Sequence, residues 1–147
     1  MSIQDQLFEA MKVAMKAKDS LRLTTIRMAR TALKNVEIDA RQELDEAAAI
    51  KVLSTLVKQR REAAEAYRET RPELAEKEEL EVLVLQEFLP AQLSEAEIEA
   101  LVTKAIAESG ADSMKAMGAV MKLVTPQTTG RADGKLVSNL VRKLLAG

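Results

Sequence analysis

The chain has 147 residues, 47% of them hydrophobic and 31% charged, with a net charge of −1 from 22 basic and 23 acidic side chains. That composition is globular and sized for one domain or two small lobes. It excludes a disordered chain and any whole-protein field aimed at nucleic acid or membrane. With no cysteine and no histidine, disulfides, thiol chemistry, Ser-His-Asp or Cys-His catalysis and the usual zinc sites are excluded too.

No glycine occurs before Gly110, and only Pro72 and Pro90 interrupt that first stretch. Long helices follow, expected at about 2–17, 20–41, 46–69, 73–89, 95–108, 113–123 and 134–145. The first opens on Ser2, with Asp5 in its first turn, a cap that suits the positive end of the helix dipole. The second carries Leu23, Ile26, Leu33, Val36 and Ala40 at helical spacing, and the third, capped by Asp45, carries Ile50, Leu53, Val57, Ala64 and Tyr67; both faces need partners. Leu89-Pro90 should end the fourth, because proline disfavours a helical conformation in the residue before it. The fifth begins with the capping box Ser94-Glu-Ala-Glu97 and ends at Gly110, after which Asp112 should cap the sixth. The architecture implied is all-α: an N-terminal antiparallel helical bundle over 1–92, then a small three-helix C-terminal lobe over 93–147. The start lacks the apolar core of a signal peptide, and no apolar run approaches the ~20 residues of a membrane span, so a cytoplasmic protein without membrane contact is the expectation.

Charge is unevenly placed. Residues 1–72 hold 14 basic against 11 acidic side chains, residues 73–109 hold 2 against 10, and residues 110–147 hold 6 against 2. In the second helix Arg27, Arg30, Lys34 and Arg41 fall on one face, and in the third Lys51, Lys58 and Arg61 do the same. Two such faces suit a phosphate backbone. The plainer reading, an ordinary solvated face with local partners such as Glu37, Glu62 and Glu65, is the stronger one from these residues alone. Met114, Met117 and Met121 form a stripe that serves a core better than a groove. Glu76, Glu78, Glu79 and Glu81 read as a solvated face without the loop geometry of a metal site. Ser113 and Lys115, two apart on a helix, point different ways and make no catalytic pair.

The stretch Thr125-Pro-Gln-Thr-Thr-Gly-Arg-Ala-Asp-Gly-Lys-Leu-Val137 stands apart. Asp133 can cap the last helix, Gly130 and Gly134 allow close approach, and Arg131 and Lys135 flank a helix mouth able to bind an anion. A turn at Gly130, with Arg131 paired to an acidic neighbour, is the bland alternative.

Gly130-Arg-Ala-Asp-Gly-Lys135, with Gly118-Ala-Val-Met121 and Gly110-Ala111 before it, resembles the signature of the GatB/YqeY domain family. Lys58-Gln-Arg-Arg-Glu62, Phe88-Leu-Pro-Ala-Gln-Leu-Ser94 and Met15-Lys-Ala-Lys-Asp-Ser-Leu-Arg22 are similar to the stand-alone members, so the resemblance covers nearly the whole chain. One departure is Ala116, where the family usually has aspartate before Met-Gly. The resemblance implies a two-lobed helical fold like the C-terminal tail of the B subunit of glutamine-dependent aminoacyl-tRNA amidotransferase. It further implies a tRNA-contacting accessory to tRNA-dependent amidation that uses no cofactor. The partners it implies are tRNA and an aminoacyl-tRNA synthetase or amidotransferase component. With the two basic faces and the helix mouth, the nucleic-acid-binding residues expected are Arg131, Lys135, Gly130, Gly134, Lys58, Arg61, Arg27, Arg30 and Lys34, the resemblance adding weight to Arg131 and Lys135. A protein-interaction adaptor is the alternative. A carbon–nitrogen ligase with glutamine as amido donor, the label such proteins inherit, is the weaker one, because no catalytic constellation is present.

Overall fold

The computed structural model describes residues 1–146; the last lobe was expected to run through Gly147, which lies outside them. The described residues form seven α-helices and one short 3-10 turn, without a strand: α1 Ile3–Ala17, α2 Ser20–Ala40, α3 Glu46–Tyr67, α4 Pro72–Gln86, α5 Glu95–Ser109, the turn Met114–Ala116, α6 Met117–Thr128 and α7 Gly134–Ala146. The all-α expectation is met. The chain divides into two compact units, Met1–Pro90 and the residues from Ala91 on. The segment 91–93 belongs with the second, where the Leu93 amide donates to the Arg131 carbonyl at 2.8 Å.

Helix starts follow local chemistry. Ser2 and Ser94 form capping boxes with Asp5 and Glu97, Asp45 accepts from the Ala48 amide, and Pro72 opens α4. Gly110 caps α5 with φ 70°. The C-terminal ends of α1 and α2 were not legible. Lys18 and Arg41 each take the left-handed conformation with φ 56°, a geometry that usually falls to glycine. The sixth helix departs most from expectation. Asp112 does not cap it; Ser113 precedes the 3-10 turn without a side-chain cap bond. The helix also runs through Pro126 to Thr128 instead of ending near 123. Proline there removes one backbone donor, the one that would meet the Lys122 carbonyl; on the following turn Gln127, Thr128 and Thr129 donate side-chain hydrogen bonds to the carbonyls of Leu123, Val124 and Thr125, respectively.

In the first unit α1 and α2 form one antiparallel hairpin and α3 and α4 another. Its core is Ile3, Leu7, Ile26, Ala29, Leu33, Ala49, Leu53, Val57, Val82, Leu85 and Phe88. The core also holds a charge pair. Arg60 Nε lies 3.1 Å from Glu81 Oε2, with both side chains under one-tenth exposed. The guanidinium also donates to the Leu56 carbonyl at 3.3 Å and reaches Met28 Sδ of α2 at 3.6 Å. The acidic run of α4 is therefore not simply a solvated face. Glu81 points inward, Glu79 pairs with Arg68, and burial, with Glu81 beside it, raises the Glu78 carboxyl above the usual carboxylate range. The second unit packs Ile98, Val102, Ala105, Val120, Val124, Val137, Leu140, Val141 and Leu145 together. The methionine stripe splits here: Met117 and Met121 pack on this core, while Met114 is exposed.

Removing one partner of a buried pair strands the other, whereas replacing both with apolar groups does not. Glu81→Ala is expected to cost about 3–5 kcal/mol in urea unfolding. The double variant Arg60→Met/Glu81→Leu is expected to lie within about 1 kcal/mol of the unaltered chain or above it. Equal losses in both variants would contradict this account of the pair.

Candidate nucleic-acid interface

The α2 stripe forms as its spacing requires. Arg27 and Lys34 are exposed and Arg30 is half-buried. Arg30 is held in place from α1. Its guanidinium carbon sits 5.0 Å from the centroid of the Phe8 ring, and Nη1 lies 3.1 Å from Met11 Sδ. Lys12 approaches the same ring at 4.8 Å. Such cation–ring contacts fix a long side chain at little entropic expense. Met28, two residues back and so roughly 200° round the helix, faces Arg60 of α3. The α2 stripe therefore lies on the side of α2 that meets α1. Arg41 has left the helix as its left-handed cap.

On α3, Lys51 and Lys58 are exposed and Arg61 is half-buried. Among the described residues, no hydrogen bond or ion pair joins them to the α2 stripe. The remaining cation of Lys58-Gln-Arg-Arg61 is Arg60, which has turned inside. A signal for this was present: Leu53, Val57, Arg60 and Ala64 recur at core spacing, all four buried, so Arg60 stands in the apolar phase of the helix.

The anticipated local neutralisation does not occur. Among the described residues, ion pairs use Lys12, Arg22, Arg60, Arg68, Arg71 and Lys104. Arg27, Arg30, Lys34, Lys58, Arg61, Arg131 and Lys135 take no part in them. Glu65, one of the local partners the sequence offered to these faces, bonds Arg68 instead.

In the second unit the glycine-punctuated loop is a clamp. Gly130 is buried with φ 78°, and its carbonyl accepts from Gln92 Nε2 at 2.8 Å. Arg131 Nε donates to the Ala91 carbonyl at 3.2 Å. Asp133 caps α7 as expected, accepting from the Lys135 amide at 3.1 Å. Part of the helix mouth is thus already occupied by the chain itself, and Arg131 is tied to Ala91 instead of to an acidic neighbour. Lys135 is exposed. Gly134 faces open space. The structure therefore collects three separate cationic groups: Arg27, Arg30 and Lys34 on α2, Lys58 and Arg61 on α3, and Arg131 and Lys135 at α7.

The chain matches the Yqey-like protein family over residues 4–145. It is also similar to proteins named altered inheritance of mitochondria protein 41, mitochondrial. The Lachancea thermotolerans protein is 43% identical over 103 residues, 67% of this chain and 54% of that protein. The Eremothecium gossypii protein is 40% identical over 101 residues, 67% of this chain and 55% of that protein. The Kluyveromyces lactis protein is 37% identical over 106 residues, 69% and 57%. The chain thus spans about half the length of the curated relatives it matches. Their names correct the expectation of a cytoplasmic protein, since these relatives are named as mitochondrial. A cysteine-free, nearly neutral helical domain reads the same in either compartment, so composition could not carry that assignment.

The two glycines of the loop should respond differently to alanine. Gly130→Ala forces a side chain into the left-handed region and is expected to lower stability by about 1–2 kcal/mol. Gly134→Ala adds a methyl group into open space at the start of a helix and should be neutral or stabilising by a few tenths of a kcal/mol. Thermal unfolding of both variants decides the point, and equal destabilisation would show that Gly134 too has a packing role.

Proposed function

The chain belongs to the Yqey-like protein family, and on that premise we propose that it is a tRNA-binding helical module, accessory to tRNA-dependent amidation and not itself catalytic. The observation that carries this reading is the set of unpaired cations. Solvated helix faces usually satisfy themselves with neighbours, and this chain does so at Glu9–Lys12 and Glu65–Arg68. Among the described residues it leaves Arg27, Lys34, Lys58 and Lys135 exposed without an acidic partner, as it does Lys16, Lys115 and Lys122, but the first four fall on two helix faces and one helix mouth. Unpaired cations on rigid helices supply phosphate contacts without first breaking an ion pair. The link to amidation comes from kinship with the tail of the amidotransferase B subunit.

The mode of recognition follows from what is scarce. The chain has two phenylalanines, one tyrosine and no tryptophan. Phe88 is buried and Phe8 carries two cations. No array of free rings exists for stacking successive bases, so folded shape and phosphates dominate. A second reading, a protein-interaction adaptor, draws on one observation: Leu80 and Leu83 of α4 are 43% and 60% exposed beside Glu76.

Titration of the purified chain with bulk tRNA at roughly 50 and 200 mM salt tests the proposal. Binding is expected to weaken steeply with salt. Arg27→Ala/Lys34→Ala, Lys58→Ala/Arg61→Ala and Arg131→Ala/Lys135→Ala identify which group contributes, each effective pair lowering the salt slope by about 1–2. Absence of binding at low salt would overturn the tRNA reading and favour the adaptor.

A further inference from the structure

The first unit holds a cleft of about 470 Å³ lined by Gln4 of α1 and by Arg30, Thr31, Leu33, Lys34, Asn35 and Glu37 of α2. That volume lies in the range of small-ligand sites. Two features of its lining stand out. Arg30 is pre-positioned by Phe8 and Met11, yet no carboxylate meets its guanidinium. Among the described residues, Lys34, the Thr31 hydroxyl, the Asn35 amide and the Glu37 carboxylate have no side-chain partner either. Along the cleft the charged groups run in the order Arg30, Lys34, Glu37, with Lys34 about 6 Å from Arg30 along the axis and neutral hydrogen-bonding groups beside them. Arg30 and Glu37 are separated by about 10 Å along the helix axis, Lys34 and Glu37 by about 4.5 Å.

A simple anion fits this arrangement poorly, because Glu37 would repel it at one end. The complementary ligand carries an anion at one end and hydroxyl donors at the other. We propose that the cleft takes one ribonucleotide, its phosphate on Arg30 and Lys34 and its ribose hydroxyls donating to the Glu37 carboxylate. Where that nucleotide belongs to an RNA chain, this inference rests on the tRNA reading above and deepens it. Glu37 then distinguishes RNA from DNA, since the 2′-hydroxyl is the group that differs. Arg30 supplies a fork matched to phosphate geometry. Leu33, buried in the core below, gives the cleft an apolar floor.

The test is an NMR titration of the isotope-labelled full chain with adenosine 5′-monophosphate and its 2′-deoxy counterpart, with tRNA affinity measured on the same samples. The ribonucleotide is expected to shift the amides of residues 30–37 and to bind about 3- to 10-fold more tightly than the deoxy form. Glu37→Ala should bring that ratio close to one, and Arg30→Gln should weaken both nucleotides. Circular dichroism melting checks that the variants fold, and Glu37→Ala, at a half-buried helical position, provides the readout if Arg30→Gln is unstable. A nucleotide that displaces tRNA identifies the source as an RNA chain, and one that binds alongside tRNA identifies a free mononucleotide. Ribose-selective binding without tRNA binding supports the cleft and sinks the tRNA reading. Binding of tRNA with no nucleotide shifts, unchanged by Arg30→Gln and Glu37→Ala, overturns the cleft and leaves that reading standing. Failure of both ligands overturns both.

Discussion

The first unit is organised around two charges that have been taken out of water. Arg60 and Glu81 face each other at 3.1 Å inside the helical core, and Arg60 also reaches Met28 of α2. A buried ion tolerates only a small set of geometries, because each unsatisfied direction costs desolvation energy. The pair therefore ties α3 to α4, while the buried residues Ile26, Ala29 and Leu33 set which face of α2 turns inward. Once Met28 faces α3, Arg27, Arg30 and Lys34 must lie round the helix on the side of α1. The basic stripe owes its position to the apolar packing of its own helix, in which its charges take no part.

From that constraint follows the division of labour among the cations. Arg60 is structural. Arg22 of α2 ties that helix to Glu87, just beyond α4, and Arg68 takes Glu65 and Glu79. Those pairs use much of the acidic α4 region, and among the described residues the outer stripes of α2 and α3 make no ion pairs. Arg30 is intermediate: it is positioned by the Phe8 ring and Met11 sulfur, contacts that orient a guanidinium without cancelling its charge. In the second unit Arg131 is shared between structure and surface, since its Nε secures Ala91. Lys135 remains outward. The resulting surface has local cationic groups although the chain as a whole carries a net charge of only −1, and bulk charge does not reveal them.

What could be seen in the sequence was chemistry with a short range. Ser2, Asp45, Ser94, Gly110 and Asp133 mark helix ends through bonds made within a few residues, and each does so in the structure. The helices and their faces were visible for the same reason. Features that depend on distant neighbours were not. The sixth helix was expected to end near 123, yet it runs on through Pro126, where only the Lys122 carbonyl loses its helical donor and Val124 and Thr128 stay buried. Lys18 and Arg41 adopt a glycine-like conformation that no glycine advertises. Arg60 hid in a polar run despite its core spacing. The cleft beside Arg30 depends on α1 lying across α2, which no spacing rule supplies. At the mouth of α7 the cap and the cations are there, and the Gly130 loop is also a clamp on residues 91–93.

The central claim is that unpaired cations on fixed helices meet RNA. Ultraviolet cross-linking of the intact chain to tRNA, followed by mass spectrometry of the adducts, tests it most directly. The account predicts adducts concentrated on peptides containing Arg27–Lys34, Lys58–Arg61 or Arg131–Lys135. Adducts centred on Lys104, Lys115 and Lys122, or spread over every exposed lysine and arginine alike, would contradict it.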